Sequence, residues 1–354
     1  MIFHNMDEFV QCIKKNKIYI FGTGTYGMVY THFFEKENIF FEGYVDNNIE
    51  KQGMMINEKR VYSVDETIGN GSIYLIATMP STSIQIYKEL INKGLKDKDI
   101  IYFDDFSVTD DVSYSLVDKS VLEDNCNIKN IFEGKRGFAI GNGPSLTRDV
   151  LKKIKDEYSF ATNKAYQMIG IEDWHPTGFV LNDTTEIEIL NKKNINIYKS
   201  KFAEYLFLNE LSLLNNGIVK LNKKNNIYYY ITERYKSNEN YNGIGDMTKS
   251  LLDLETTMHI ILQVMIYLGF KEIYLVGMDY HFKYEIDNNG KVIHNNIKNH
   301  CDMQEDDDGM YSVYYMTKGF EIINKYAKKN GIHIYNATPN SGLDVFERKN
   351  LDLI

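Results

Sequence analysis

Gly141-Asn142-Gly143-Pro144-Ser145 combines the residue types that a phosphate site needs. It follows an apolar run, residues 137–140, that reads as a buried strand, and precedes a charged helical stretch, 147–158. Two glycines let the backbone turn sharply and approach a ligand. Pro144 suits a first helical turn, because it has no N–H to leave unpaired. Asn142 and Ser145 add donors beside the free N–H groups of a helix start, where anions bind well. Two more strand ends carry amides, Asn163 after 159–162 and Asn182-Asp183 after 178–181. An amide both donates and accepts, which suits a base edge, a ribose or a sugar hydroxyl. Asp183 fits a helix N-cap equally well. Gly277-Met278-Asp279-Tyr280-His281 ends a further apolar strand, 272–276. A carboxylate beside a glycine at a strand end suits a pair of ribose hydroxyls, so Asp279 reads as a ligand residue. His281 reads as a phosphate donor or as a packed ring. Thr256 and Thr257 open the preceding helix; one is an N-cap, and either can face the ligand. His300, in the polar stretch Asn299-His300-Cys301-Asp302, is a candidate general base or an exposed loop histidine. Ser341 belongs to a last strand tip rich in hydrogen-bonding groups, 335–342. The acidic run 305–308 lacks the spaced ligands and fixed glycine of a calcium loop and reads as solvated. No metal is assigned.

These residues need parallel strands whose carboxyl ends share an edge, since ligands of open α/β sheets bind there. The pattern supplies them. Residues 1–105 alternate strands (17–21, 40–45, 72–76, 100–103) with helices, as a parallel sheet requires. The first turn, Gly22-x-Gly24-x-x-Gly27, opens a helix, and Asp46 ends the next strand, the context of a dinucleotide fingerprint. Any tight strand–helix turn favours glycine too, so ligand and purely structural readings stay open. Residues 106–134 read as an irregular acidic linker starting near Asp104, Asp105, Asp110 and Asp111. Residues 135–354 form the second α/β unit, with strands at 137–140, 159–162, 178–181, 195–197, 272–276 and 333–335. The fold class is thus α/β, two domains with mainly parallel sheets.

Composition narrows the function. The 354 residues have room for two domains, and 43% hydrophobic content supplies their cores. Aromatic residues are abundant, 27 Tyr and 19 Phe among them. A net charge of −9 argues against a nucleic-acid partner, whose phosphates need clustered Lys and Arg. The pairs Lys192-Lys193 and Lys223-Lys224 read as solvated faces. No apolar run reaches the ~18–20 residues of a membrane span. The N-terminus lacks a signal-peptide pattern, so a cytoplasmic protein is expected. Three separated cysteines and no CxxC argue for reduced, buried thiols.

Three stretches together carry a family resemblance. They are Ile140-Gly141-Asn142-Gly143-Pro144-Ser145-Leu146, then Leu268-Gly269-Phe270-Lys271-Glu272-Ile273-Tyr274-Leu275 running into Gly277-Met278-Asp279, then Ile334-Tyr335 followed by Pro339-Asn340-Ser341. In this order they resemble the bacterial sialyltransferases of glycosyltransferase family 42 and the broader DUF115 group. That group includes motility accessory factors that modify flagellin and archaeal 6-hydroxymethylpterin pyrophosphokinase-like proteins. The resemblance covers about residues 135–350 and implies a sialyltransferase-like catalytic domain. The segment around Gly22 and Asp46 resembles Rossmann-like modules attached to bacterial polysaccharide-biosynthesis enzymes, often without catalysis of their own.

By resemblance, Asn142 and Ser145 hold a nucleotide phosphate, and Asn163 and Asn182 contact the cytidine nucleotide or donor sugar. Thr257, Gly277 and Asp279 line the ribose and base pocket. The sequence also departs from the sialyltransferases. Their catalytic histidine falls near Tyr314, their phosphate-binding tyrosine is His281, and an arginine ahead of their Thr-Ser pair is Leu254. His300 is the substitute base. The leading expectation is a glycosyltransferase of surface-glycan synthesis, with a nucleotide-sugar donor (a CMP-linked nonulosonate fits), a glycan acceptor, no tightly bound cofactor and a possible homo-oligomer. The alternatives are an ATP- and Mg-dependent pyrophosphokinase, with Asp183 and Asp279 as metal ligands, and a non-catalytic sugar-nucleotide-binding protein.

Overall fold

A computed structural model describes the chain except residues 104–106, 199–201, 216–217, 219–220, 223, 235–242, 287–290 and 305–309. Asp104, Asp105, Lys223 and the acidic run 305–308 therefore lie outside the described residues. The chain divides into two compact units, Met1–Val117 with Leu213–Leu221, and Asp118–Ser212 with Asn222–Ile354.

In the first unit, β1 (Ile18–Phe21), β2 (Gly43–Val45), β3 (Met55–Ile56), β4 (Lys59–Tyr62), β5 (Ile73–Ile76) and β6 (Ile100–Ile101) form one sheet. Its order is β3-β4-β2-β1-β5-β6, parallel except for the β3–β4 hairpin. Every residue of β1 and β5 is buried, so both strands are apolar runs rather than alternating ones. The helices are α1 (Met6–Lys15), α2 (Thr25–Lys36), α3 (Val64–Thr67), α4 (Pro80–Asn92) and α5 (Ser107–Leu116). Phe9, Phe33, Phe34, Phe41 and Tyr44 lead the core. At the first glycine-rich turn, Asp46 accepts hydrogen bonds from the Thr23 N–H (3.1 Å) and hydroxyl (2.5 Å). Lys51 lies 3.5 Å from the same carboxylate.

The boundary between the units, after Val117, falls inside the expected linker, but that segment is not irregular. Residues 106–134 contain α5, α6 (Lys119–Glu123) and a 3₁₀ segment, Asp124–Ile128. Val108 and Val112 stand one turn apart on α5 and are buried in the first unit's core. That i, i+4 apolar pair outweighs the acidic residues between them.

In the second unit, eight parallel strands make the main sheet. They are β7 (Arg136–Ile140), β8 (Ser159–Thr162), β9 (Gly178–Leu181), β10 (Tyr205–Asn209), β11 (Ile227–Tyr230), β14 (Glu272–Val276), β18 (His333–Asn336) and β19 (Glu347–Arg348). Between β11 and β14 come β12 (Thr232–Arg234) and β13 (Leu251–Asp253), a separate pair; β15 (Tyr284–Ile286), β16 (Val292–His294) and β17 (Met310–Tyr311) form a small sheet. The main order is β11-β10-β9-β8-β7-β14-β18-β19. The chain winds outward from β7 to β11, then returns to place β14 on the other side of β7. Strand order therefore reverses between β7 and β14, which is where a ligand crevice opens in such sheets.

The helices of this unit continue with α7 (Arg148–Ile154), α8 (Thr184–Lys192), α10 (Thr257–Tyr267) and α11 (Val313–Lys329), and α9 (Glu210–Asn215) starts in it. All of α10 from Met258 to Tyr267 is buried, as its near-unbroken apolar sequence requires, and it lies across β7, β8 and β9. α11 is amphipathic and buries Met316, Phe320, Ile323 and Ala327. The strand expected at 195–197 is absent. Ile195 instead closes α8, its N–H donating to Leu190 O (2.9 Å) after Asn194 turns at φ 56°. The next sheet strands are the aromatic-rich β10 and β11. Of the three thiols, only Cys301 is buried; Cys126 is exposed. Among the described residues, no helix is long and apolar enough to cross a membrane.

One buried acid makes stability depend on pH. Glu210 is 2% exposed. One carboxyl oxygen accepts the Asp118 N–H (2.7 Å), and the other has no partner among the described residues. Burial pushes the carboxyl up to about 7, against the pull of the Asp118 N–H. The folded state thus holds the proton more tightly than the unfolded one. Its contribution is complete below the ordinary glutamate range and is lost as pH rises toward 7. Glu210→Gln should remove on the order of 2 kcal/mol of that loss between pH 5 and 7.5. Urea midpoints of both proteins across that range check it. Parallel pH profiles would contradict it.

Candidate ligand site at the switch point of the second sheet

β7 and β14 pair in register from Arg136↔Glu272 to Ile140↔Val276, so they end level. Each then turns at a glycine. A Cβ on Gly141 would lie 2.4 Å from Gly277 O, and Gly277 adopts φ 67°. Side chains at either position would force the two turns apart. The Gly141 N–H donates to Val276 O (2.8 Å), and the Gly143 N–H to Gly277 O (2.9 Å).

Asp279 reaches across this seam. Its carboxylate accepts the Ser145 N–H (3.0 Å) and the Ser145 hydroxyl (2.7 Å). A Cβ on Gly143 would sit 2.1 Å from Asp279 Oδ2, so glycine there admits the carboxylate. This corrects the expected phosphate cradle. α7 starts only at Arg148, capped by the Thr147 side chain, and Pro144 and Ser145 belong to the turn before it. The amide and hydroxyl of Ser145 already have an anion, the protein's own Asp279.

Beside the seam lies a cleft of about 160 Å³. Gly141, Asn142, Gly143, Asn163, Thr257, Gly277, Asp279, His281 and His300 all line it. The tips of β7, β8 and β14 thus meet, joined by the start of α10 and the segment around residue 300. Four other expected site residues do not line it. Ser145 is engaged as above. The Asn182 side-chain oxygen accepts from Asn209 Nδ2 (2.9 Å) and the Tyr230 hydroxyl (3.2 Å). Asp183 is the N-cap of α8, accepting the Thr185 N–H (2.8 Å). Ser341 is buried, donates to Met278 O and accepts from Asn336 and Leu343. Of the two threonines, Thr256 caps α10.

Asn142 does more than line the cleft. Its side-chain oxygen accepts from Gln304 Nε2 (2.9 Å), and its backbone oxygen accepts the Cys301 N–H (2.9 Å). These bonds tie residues 301 and 304 to Asn142, next to His300, which lines the cleft. The volume of the cleft lies below the ~300–1,000 Å³ of most ligand pockets. His281 is exposed, with Nε2 3.2 Å from Asn340 O and the adjoining Cε1–Nδ1 edge against Gly342. That geometry turns its nitrogens toward the 340–342 turn.

The apolar part of the wall escaped the sequence reading. Tyr280, Phe282, Met316 and Phe320 supply it. Met316 and Phe320 stand at i, i+4 on α11, a spacing indistinguishable from ordinary core. Tyr280 takes φ 58°, and its hydroxyl meets Thr317 (2.9 Å) and Val313 O (3.1 Å). Burial pushes that phenol up to about 12, so it is a neutral wall residue. Behind it, His259 is fully buried with its ring 4.1 Å from that of Phe320. Burial holds its imidazole down to about 3, which keeps it uncharged. Tyr314 is exposed on α11 and Leu254 is buried in the core; neither lines the cleft.

Residues 117–285 match the family described as 6-hydroxymethylpterin diphosphokinase MptE-like. The matched span holds the first two of the three motif stretches and the turns after β7, β8 and β14. Among solved structures, the MAf glycosyltransferase from Magnetospirillum magneticum AMB-1 is 12% identical at a TM-score of 0.38, over 96% of this chain and 58% of that one. The sialyltransferase CstII from Campylobacter jejuni, in complex with a substrate analogue, cytidine-5'-monophosphate, is 17% identical at a TM-score of 0.35, over 61% of this chain and 85% of that one. The chain spans 58% of the length of the first of these. No curated protein matches it.

Proposed function

We propose that the second unit is a glycosyltransferase that takes its sugar from a nucleotide-activated donor, a CMP-linked nonulosonate by preference, in bacterial surface-glycan synthesis. The observation that carries this reading is the convergence of Asn142, Asn163, Asp279 and His300 on one cleft at the strand-order reversal. Asn142 and Asn163 offer amides to the nucleotide or sugar. Asp279, held in place by Ser145, faces the ribose. His300 takes the proton of the acceptor hydroxyl as that oxygen attacks the anomeric carbon and the nucleotide phosphate departs. Residues 301 and 304 hydrogen-bond to Asn142 and keep its amide at the cleft. The first unit is an accessory module in this scheme, and the enzyme works in the cytoplasm, where such donors are made.

A second reading is favoured by the family description, a diphosphokinase. It needs ATP and magnesium. Asp183 caps α8 away from the cleft, so the expected Asp183–Asp279 metal pair is not assembled. Magnesium carried by the nucleotide's own phosphates, with Asp279 as a single carboxylate, is the form this reading takes.

Thermal shift separates the two. CMP at about 100 times its Kd should stabilise the protein by ~2.7 kcal/mol without magnesium. A shift with ATP and magnesium together, and none with CMP, would replace the first reading by the second.

A further inference from the structure

We propose that an open cleft along α11 binds an acidic saccharide, the acceptor of the transfer reaction. This assignment rests on the glycosyltransferase reading. α11 presents two faces to two cavities. One face sends Met316 and Phe320 into the wall of the candidate donor site. The other sends Thr317, Glu321, Lys325 and Lys328 into a cleft of about 590 Å³, whose opposite wall is the 342–345 turn. That volume falls within the ~300–1,000 Å³ of ligand pockets.

Charge selects the ligand. Glu321 is already paired with Lys318 (2.8 Å), and Asp344 with Arg348 (2.6 Å). Among the described residues, Lys325 and Lys328 make no ion pair. They stand one turn apart with their ammonium groups uncompensated, and both are exposed. The cleft therefore attracts an anion, yet it is far larger than a simple one. At the start of the same helix, Tyr314 and Tyr315 expose their rings, 5.3 Å apart at the centroids. Neither ring lines the cleft; within it Thr317 and Asn324 add polar groups beside the two ammonium donors, which suits a carboxylate-bearing sugar chain.

The two cavities are also neighbours. Tyr280 lines both. Gly342, on the rim of the second, packs against the His281 ring and donates its N–H to Asp279 O (2.7 Å). A saccharide held by the two lysines can run past Gly342 and His281 and present a hydroxyl at the donor site.

Titration calorimetry with oligogalacturonate tests this, using the full chain and its K325E/K328E double variant. The wild type should bind oligogalacturonate and ignore a neutral malto-oligosaccharide. The variant should bind about tenfold or more weakly. Equal binding by both proteins, or none by the wild type, overturns the proposal. Inorganic phosphate binding as tightly as the saccharide overturns it too, since the site would then read charge alone. CMP binding is measured on the same samples. Intact CMP binding without saccharide binding sinks the acceptor cleft alone; the reverse sinks the donor reading and, with it, the acceptor role, while the saccharide site stands.

Discussion

Asp279→Ala should lose both stability and nucleotide affinity, and Asp279→Asn should lose only the second. The carboxylate accepts two hydrogen bonds from Ser145 across the seam between β7 and β14. Alanine leaves a part-buried N–H and hydroxyl without an acceptor. Bonds to a charged group contribute ~1.5–3 kcal/mol each in such settings, and water entering the turn recovers part of that. A net loss of about 2 kcal/mol lowers Tm by roughly 4–8 °C for a domain of this size. Asparagine can still accept the Ser145 N–H, while its amide donates to a Ser145 hydroxyl that turns to accept. The brace then survives, but the negative charge facing the cleft is gone. A carboxylate that takes a pair of ribose hydroxyls is worth at least about tenfold in Kd, the equivalent of 1.4 kcal/mol. Calorimetry with CMP reads the affinity, and melting curves read the brace. Full CMP affinity in both variants would leave Asp279 as a brace and remove it from the binding site.

The tension at this residue shows how far the sequence could be read. The glycines and Asp279 were legible as a site because strand, glycine and carboxylate fall together at a strand tip. What stayed hidden was their mutual engagement. Ser145 and Asp279 are far apart in sequence, and only the parallel pairing of β7 with β14 brings them within 3.0 Å. Local rules see Ser145 as a free donor at a helix start, because a Pro-Ser pair looks the same whether the helix begins there or three residues later. Asn182 and Ser341 look like ligand residues for the same reason, whereas for Asp183 the helix N-cap, an equal reading of the sequence, is the one observed. Each is a polar residue at a strand tip, and strand tips also need polar groups to cap helices and close turns. The helical 107–116 and the strands β10 and β11 escaped because acidic or lysine-rich neighbours mask short apolar periods. By contrast, β7, β14 and α10 were plain, since burial on all sides demands unbroken apolar runs.

His300→Gln should abolish turnover while sparing the donor. Among the histidines at the cleft, His300 is the one whose position suits a base. His281 has its ring nitrogens turned to the 340–342 turn, and His259 is sealed behind Phe320. His300 is half-buried, lines the cleft, and is brought there by the neighbouring Cys301 N–H, which donates to Asn142 O. Glutamine keeps a hydrogen-bonding group of similar reach but cannot take up a proton. General-base catalysis contributes about 10²–10⁴-fold, so kcat should fall by that factor with CMP affinity unchanged. Glutamine at 300 leaves the Cys301 backbone bond in place, so Asn142 and the 301–304 segment should keep their positions. Transfer from CMP-linked nonulosonate, followed by CMP release, gives the rate; the CMP thermal shift gives the affinity. A fall in both together would mean that His300 shapes the donor pocket and does not act on the acceptor proton. Turnover within a few-fold of wild type would take the base away from His300 altogether.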